Sequence, residues 1–374
     1  DIIKILFAEN PGIVIQVKDK HKEEVKKILE DAGIGYVKLG KPTEERHILV
    51  EKGDATYQFG IDYLRDVWYS TSYLLDRKQS MNGCAKKRFE NYKKQPLEFV
   101  FDKSFTGKLS QFGLNPDRRT PTGIKAAIIR EKGTNGEREM AYMLYLAGFD
   151  VKDVTMTDLV SGRETLEDIN FIVFCGGFSN SDVLGSAKGW AGAFLFNPKA
   201  KAALDNFYAR KDTLSLGVCN GCQLMIELNL INPDFTKKAK MLHNDSHKFE
   251  SKFVGVTVPM NRSVMFGSLS GSKLGIWVAH GEGKFSLPYH EDKYNVVLKY
   301  SYDEYPGNPN GSDYSVAGLA SPDGRHLAMM PHLERSCFPW QNAYYPADRI
   351  KNDQITPWME AFVNARKWIE MNKK

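Results

Sequence analysis

The sequence predicts an α/β protein built on a mostly parallel sheet with helices on both faces. The first indication is the alternation of strand-like and helix-like segments from Gly123 onward, which is typical of parallel sheets covered by helices. The second is a glycine-flanked cysteine, Cys219, at the junction of an apolar strand and a helical run. The third is that Gly176 and Gly177 also follow a predicted strand. Ligands in such folds bind at the carboxyl ends of the strands, where all three of these residues are expected to lie.

The region covering residues 123–374 supplies this sheet. It opens with a strand of the buried type over 124–130, and an amphipathic helix follows over 136–147, each assigned from its apolar periodicity. The other predicted strands cover residues 151–156, 171–175, 214–218, 254–258, 276–278, 296–300 and 326–330, and the other predicted helices cover 165–168, 198–209, 222–230 and 355–370.

Residues 1–66 are interpreted as a partial α/β unit, and residues 67–122 as a helix and an extended linker with several prolines and glycines. The elements predicted here are strands over 12–17, 36–39 and 47–51, and helices over 20–32 and 61–82. The sequence begins at Asp1, without a methionine and without a signal-peptide pattern. We therefore expect a fragment of a longer protein.

Composition argues against several classes of protein. The five cysteines are odd in number and irregularly spaced, which argues against a disulfide framework and for a reducing compartment such as the cytoplasm. No apolar run reaches the roughly 18 residues that a membrane span needs. The net charge of +5 is modest, and the basic cluster over 86–94 is interpreted as a solvated helix face. We expect neither a membrane nor a nucleic acid as partner.

The segment around Cys219 has the pattern of a nucleophile elbow. Gly217 and Gly221 stand two residues before and two residues after the cysteine, and a tight strand-to-helix turn tolerates little side-chain bulk at these positions. The start of a helix also favours the thiolate, which is the reactive form of cysteine. The alternative is a buried cysteine in a glycine-rich turn, and the segment alone does not decide between the two.

A candidate base and its orienting group lie near the C-terminal end of the predicted sheet. His332 and Glu334 follow the strand-like run 326–330, and residues at i and i+2 of an extended segment project to the same side. Glu334 can therefore orient the imidazole while His332 faces a thiol. Such a pair is more often a solvated surface pair, but together with the elbow the catalytic interpretation is favoured. His243 and His247 have the spacing of metal ligands but lack the accompanying glutamate, so no metal is predicted.

Several motifs resemble those of class I, triad-type glutamine amidotransferases. The motifs are Cys175-Gly176-Gly177-Phe178-Ser179, the elbow Gly217 to Gln223, and Pro331-His332 with Glu334-Arg335. Further phrases resemble the C-terminal glutaminase domain of the large, single-chain phosphoribosylformylglycinamidine synthases: Gly148-Phe149-Asp150, Asp182-Val183-Leu184-Gly185, Gly189-Trp190-Ala191, Ala279-His280-Gly281-Glu282-Gly283, Asn308-Pro309-Asn310-Gly311-Ser312 and Asn364-Ala365-Arg366. The resemblance is dense from about residue 120 to the C-terminus and looser before it, and it implies a flavodoxin-like fold.

The resemblance implies hydrolysis of glutamine, with Cys219 as nucleophile, His332 as base and acid, and Glu334 as the orienting group. Residues expected to stabilise the oxyanion or bind the substrate are Gly177, Phe178, Asn220, Gln223, His280 and Gly281. No cofactor is expected in this chain. ATP and magnesium are implied only for an upstream synthetase portion, which is the expected partner and would receive the ammonia for purine biosynthesis. The alternative is a domain of the same fold that acts as a cysteine peptidase or as a non-catalytic binding module.

Two positions depart from the family's pattern. Leu333 stands where the family usually has proline, and we expect it to be tolerated because it points away from both triad candidates. Asn180-Ser181 replaces a common Tyr-Gly pair, so the shape of that loop is left open.

Overall fold

The computed structural model describes residues 2–95 and 97–373 of the chain. The chain divides into two compact units, one ending at Val67 and the other beginning at Trp68. The elements of the first unit are helices α1 (Ile2–Leu6) and α2 (Lys22–Asp31), the antiparallel hairpin of β1 (His47–Lys52) and β2 (Ala55–Gly60), and the first residues of α3 (Ile61–Gln79).

Two strands predicted for the first unit are wrong. Residues 12–17 and 36–39 have no regular secondary structure, and Ile13 is 89% exposed. A strand needs a hydrogen-bonded neighbour and a buried face, and these apolar side chains have no such face within their unit. The helix over 20–32 and the strand over 47–51 are confirmed.

The second unit carries the α/β architecture. Its helices after α3 are α4 (Cys84–Glu90), α5 (Glu137–Ala147), α6 (Met156–Ser161), α7 (Lys188–Phe196), α8 (Pro198–Ala209), α9 (Asn220–Glu227) and α10 (Trp358–Asn372). Its strands are β3 (Lys125–Arg130), β4 (Thr134–Asn135), β5 (Asp150–Thr155), β6 (Phe171–Phe174), β7 (Gly176–Gly177), β8 (Leu214–Val218), β9 (Lys240–Leu242), β10 (Glu250–Thr257), β11 (Lys273–His280), β12 (Lys284–Ser286), β13 (Asn295–Tyr300), β14 (Val316–Ala320) and β15 (His326–Met329).

Nine of these strands form one sheet, in the order β11-β10-β13-β14-β15-β8-β6-β3-β5. The neighbours from β15 to β5 are parallel, and those from β11 to β15 are antiparallel. The α/β class is confirmed, but the sheet is mixed rather than mostly parallel. The reason is that the chain after α9 returns mainly through antiparallel connections, which need no helical crossover.

The helices pack in two groups, α5 with α10, and α6 to α9 with one another. One predicted helix is misplaced: residues 165–168 contain no helix, and the helix of this crossover is α6. Its start is fixed by a capping box between Thr155 and Asp158, an arrangement that satisfies otherwise unpaired N–H groups. Helix α7 was not predicted. Among the described residues, no helix is both long and apolar enough to cross a membrane.

The fold brings the candidate site to the carboxyl end of the parallel strands. Strand β8 lies in the interior of the sheet, with β15 and β6 as parallel neighbours. All five of its residues are buried, as expected for a central strand covered on both sides. Cys219 directly follows β8, and Gly176 and His332 follow shortly after β6 and β15.

Candidate active site

The elbow at Cys219 is sterically constrained. Cys219 has a φ of 54° and a ψ of −106°, an unfavourable backbone conformation that persists only when the surrounding structure imposes it. A Cβ on Gly217 would lie 2.5 Å from the carbonyl oxygen of Gly221, and a Cβ on Gly221 would lie 2.1 Å from that of Phe174. Both flanking glycines are therefore required by close backbone approach, which explains the motif that predicted the elbow.

His332 and Glu334 form a buried pair beside this elbow. The Nδ1 atom of His332 lies 2.6 Å from Oε1 of Glu334, and both residues are only 2% exposed. Gly176 marks the place where base and nucleophile meet. A Cβ added to this glycine would lie 2.8 Å from Cε1 of His332 and 3.4 Å from Cβ of Cys219. The structure thus brings together all three residues of the predicted triad.

The electrostatics favour a charged imidazole. Burial lowers the pKa of His332, but the charge of Glu334 and a hydrogen bond with Cys219 outweigh it and raise this pKa to about 9. At neutral pH the imidazolium can therefore stabilise a thiolate on Cys219 and deliver a proton to a leaving group. The pKa of His280 shifts in the opposite direction. Burial and the charge of His332 lower it to about 3, so the His280 ring is neutral.

The other cysteines lie in environments that suppress reactivity. Burial raises the pKa of the thiols of Cys84, Cys175, Cys222 and Cys337. A thiol that stays protonated is a poor nucleophile and a poor metal ligand. Among residues 2–95 and 97–373, no group of three or more histidine, cysteine or acidic side chains is arranged to hold a metal ion.

The backbone N–H groups of Gly177 and Asn220 are candidates for an oxyanion site near Cys219. The N–H of Phe178 donates to the carbonyl of Gly133, so this predicted donor is already used. Paired residues of an antiparallel ladder alternate between hydrogen-bonded and non-hydrogen-bonded, and Gly177 is paired with Thr134. The Gly177 N–H therefore faces away from β4. Asn220 opens α9, where N–H groups lack intrahelical partners.

A cavity of about 200 Å³ opens at Cys219. Its lining includes Gly177, Phe178, Asp182, Ser186, Gln223, His243, His247, Lys248, Phe249, His280, Gly281 and Glu282. Of the residues predicted to bind substrate, all but Asn220 line it. The Asn220 side chain instead donates to Oε1 of Gln223 and accepts from the N–H of Ser179. Gln223 in turn donates to the carbonyl of Glu282, so its amide also holds the cavity wall in place.

The turn around His280 is braced by residues that the motif search missed. The Asn244 side chain donates to the carbonyl of His280 and accepts from the N–H of Gly283, and Asn310 donates to the carbonyl of Gly283. Asn310 belongs to one of the recognised phrases, but nothing in the sequence around Asn244 indicated this contact. Two acidic residues of the cavity, Asp182 and Glu282, were likewise not predicted as site residues.

The two departures from the family's pattern have different consequences. Leu333 is fully buried in the hydrophobic core, in keeping with a side chain that packs rather than reacts. Ser181 has a φ of 55°, between Asn180 at 53° and Asp182 at 51°. This left-handed conformation favours glycine, which is what the family commonly has at the Ser181 position.

Fold and site together define a class I-like amidotransferase domain, with a cysteine elbow on a central parallel strand and a buried His-Glu pair beside it. Comparison with known proteins agrees. Residues 123–369 match the CobB/CobQ-like glutamine amidotransferase domain, and the chain belongs to this family.

The similarity to curated relatives extends beyond residues 123–369. The chain is 37% identical over 396 residues to the probable phosphoribosylformylglycinamidine synthase, chloroplastic/mitochondrial, of Arabidopsis thaliana, covering 99% of this chain and 27% of that protein. It is 38% identical to the phosphoribosylformylglycinamidine synthase of Homo sapiens, covering 98% of this chain and 29% of that protein. The chain thus spans less than a third of these relatives. A solved structure of PurLQS from Thermotoga maritima superposes with a TM-score of 0.50 at 27% identity, over 67% of this chain and 99% of that one.

Proposed function

We propose that this chain hydrolyses glutamine to glutamate and ammonia through Cys219, His332 and Glu334. The observation that carries the proposal is the buried pair of His332 and Glu334 at the constrained elbow of Cys219. A nucleophile, a base beside it and a carboxylate that orients the base make up the minimal set for this chemistry. Membership of the glutamine amidotransferase family supports the choice of substrate.

The proposed reaction has two steps. The Cys219 thiolate attacks the carboxamide carbon of glutamine, and the N–H groups of Gly177 and Asn220 hold the developing oxyanion. His332 protonates the departing nitrogen, so that the C–N bond breaks, ammonia leaves and a thioester remains. Neutral His332 then takes a proton from water, whose oxygen attacks the thioester and releases glutamate. Glu334 keeps the imidazole in one tautomer throughout.

The direct test is glutamate release by the purified chain. Glutamate and ammonia should appear in equal amounts, and Cys219→Ala should abolish both. Cys84→Ala is the matched control, because Cys84 is buried but does not line the cavity. If Cys219→Ala kept the wild-type rate, the proposed nucleophile would be wrong. Cleavage of peptides without glutamine hydrolysis would instead establish the cysteine-peptidase alternative.

We further propose that the ammonia serves an upstream synthetase portion, because the chain spans less than a third of the phosphoribosylformylglycinamidine synthases that it resembles. That portion would use ATP and magnesium to convert formylglycinamide ribonucleotide to formylglycinamidine ribonucleotide. Ammonia released to solvent is lost to this reaction, so hydrolysis gains from coupling to a loaded acceptor site. Five free cysteines fit a reducing compartment, and we propose the cytoplasm, although the Arabidopsis relative is named chloroplastic/mitochondrial.

The coupling is tested with the two parts expressed separately. The chain alone should hydrolyse glutamine slowly. Adding the upstream portion with ATP, magnesium and formylglycinamide ribonucleotide should raise the rate. A chain that already works at the rate of the intact enzyme, with no stimulation, would refute the coupling but not the triad.

A further inference from the structure

The turn between helices α3 and α4 contacts a segment that lines the catalytic cavity. Residues 243–249, here called the cavity segment, contribute four of the lining residues: His243, His247, Lys248 and Phe249. The N–H of Met81 donates to the carbonyl of Ser246 at 3.0 Å. The side chain of Asn82 donates to the carbonyl of Asp245 at 2.8 Å. Backbone contacts from this turn therefore hold the middle of the cavity segment.

Asp76, near the end of α3, adds an ion pair with the same segment. Its Oδ1 lies 2.9 Å from Nζ of Lys248, and its Oδ2 lies 2.5 Å from Nη1 of Arg88. The hydroxyl of Ser80 also donates to Oδ1, at 2.6 Å. Burial raises the pKa of this carboxyl group, but hydrogen bonds from Ser80 and Lys248 and the charge of Arg88 outweigh burial, and the net shift is downward. The carboxylate is therefore charged at neutral pH.

Arg88 extends this contact to the far end of the cavity segment. It belongs to the basic cluster over 86–94 that was interpreted as a solvated helix face, yet its side chain is only 23% exposed. Its Nη2 atom lies 3.5 Å from Oε2 of Glu250. Glu250 follows the cavity segment directly and accepts from the hydroxyl of Ser246 at 2.5 Å. The ion pairs of α3 and α4 thus reach both sides of the segment.

The cavity segment in turn holds the turn that follows β11. The N–H of Asn244 donates to the carbonyl of Gly281 at 2.9 Å, and its side chain donates to the carbonyl of His280 at 2.7 Å. The same side chain donates to the carbonyl of Lys248. Next to His280, the carbonyl of Ala279 lies 3.6 Å from Sγ of the nucleophile. Continuous contacts therefore connect Asp76 with the surroundings of the reacting thiol.

The burial of these charges favours a role in geometry. Asp76 is 7% exposed and Glu250 is 2% exposed. Removing charges from water is costly, so a buried ion pair contributes little net stability compared with apolar packing. A charged hydrogen bond is nevertheless strong and directional once it is formed. Such a network holds its members in one arrangement.

We infer that Asp76 is a positioning residue for the proposed reaction, acting through Lys248 to hold the cavity segment where glutamine hydrolysis needs it. Asp76 belongs to the unit that begins at Trp68 but lies outside residues 123–369, the stretch that matches the amidotransferase domain. The inference rests on the proposed function and adds to it a contribution from the helices that precede this domain.

The test is a double-mutant cycle on hydrolysis. Asp76→Asn removes the charge that holds Lys248, so the KM for glutamine should rise about tenfold while kcat changes little, because the cavity walls shift but the triad stays in place. Lys248→Met should cause a loss of similar size. If Asp76 acts through Lys248, adding Asp76→Asn to Lys248→Met should cause no further loss.

Asp150→Asn is the matched control. Asp150 opens β5, at the opposite end of the parallel strands from Cys219. It likewise pairs with an arginine, Arg118, at 3.1 Å and accepts the N–H of Thr122. The control should lower the urea midpoint of unfolding and leave the KM for glutamine unchanged. A cooperative urea transition reports that each variant is folded.

If Asp76→Asn did not fold, Asp76→Glu would take its place in the cycle. It keeps the charge but moves the carboxylate by one methylene, so its KM should rise about threefold, and this rise should vanish beside Lys248→Met.

A wild-type KM in the folded Asp76 variant, or losses that add up in the double variant, would overturn the positioning role and leave the proposed function standing. A wild-type chain that does not hydrolyse glutamine would overturn both.

Discussion

In the proposed reaction, the cavity at Cys219 has a catalytic side, formed by the triad, and a recognition side, formed by the loops that would contact glutamine, and the two are built differently. On the catalytic side, Cys219, His332 and Glu334 follow sheet strands and are at most 4% exposed. On the recognition side, Asp182 and Glu282 come from a loop and a turn and remain partly exposed. We conclude that packing against the sheet holds the triad residues in position, while side-chain hydrogen bonds from α9 hold the loops that carry Asp182 and Glu282. Changes on the first side should lower kcat, and changes on the second should raise KM.

Loss of the base should have the largest effect. His332→Ala removes the proton donor and acceptor, and we expect glutamine hydrolysis to fall by about 10⁴-fold or more. His290→Ala is the matched control, because His290 also pairs with an acid two residues later, Asp292, but on the surface. The measurement is the steady-state rate of glutamate release. Near-normal activity of His332→Ala would mean that another group is the base.

Loss of the orienting carboxylate should give a smaller defect with a distinct pH signature. The acid step needs protonated His332, so wild-type activity should fall as the pH rises through about 9. Glu334→Gln removes the charge that raises this pKa, so the alkaline fall should move to lower pH. The rate should drop by up to about 10⁴-fold but stay above that of His332→Ala.

The check is a pH profile of kcat/KM for glutamine, with alkylation of Cys219 by iodoacetamide measured alongside. Alkylation needs no proton from His332 and should not share the alkaline fall. An unshifted profile in Glu334→Gln would show that this carboxylate does not set the charge of His332.

A methyl group at the meeting point of nucleophile and base should also impair catalysis. The Cβ of Gly176→Ala would lie 2.8 Å from Cε1 of His332, so the imidazole must move by a few tenths of an ångström or more. Misplacements approaching 1 Å cost about 10²-fold in rate, and we expect a loss up to that size. Gly267→Ala is the control, since a Cβ there meets nothing within 4 Å. Equal activity of both variants would contradict the arrangement around Gly176.

The smallest effect is expected from a substitution on the recognition side, which should change the free energy of unfolding and not the rate of hydrolysis. Ser181 has a left-handed φ of 55°, which costs a residue with a Cβ about 1 kcal/mol. Ser181→Gly should therefore raise the free energy of unfolding in urea by about 1 kcal/mol. Ser110→Gly, in the short 3₁₀ helix Leu109–Phe112, should instead lower it slightly. A destabilising Ser181→Gly would show that the loop is not strained at this position.

The difference between the catalytic side and the recognition side also explains which site residues could be predicted from the sequence. The elbow was found because two glycines flank Cys219 within one strand-turn-helix unit, although the contact that requires Gly221 is with Phe174 of the neighbouring strand β6. The pair His332 and Glu334 was found from its spacing of two residues, although Leu333–Arg335 form a short 3₁₀ helix and not the extended segment that the prediction assumed. Both signals are local and survive in a single sequence.

The recognition side could not be found in this way. Asp182 and Glu282 are 100 positions apart in the sequence, and only the fold brings them to one wall. The left-handed turn before Asp182 contains no glycine that would indicate it. Burial also decided which strands could be predicted. Apolar periodicity predicted eight of the nine strands of the large sheet and missed β14. It failed over 12–17, where Val14 is 81% exposed.

The most direct test of the account is the identity of the thiol that reacts with a glutamine-mimicking electrophile. Cys219 lies at a helix start beside a protonated His332, whereas burial raises the pKa of the other four thiols. Peptide mapping after brief labelling should find the adduct on Cys219, and excess glutamine should protect it. Preferential labelling of Cys84, Cys175, Cys222 or Cys337 would contradict the assignment of the nucleophile.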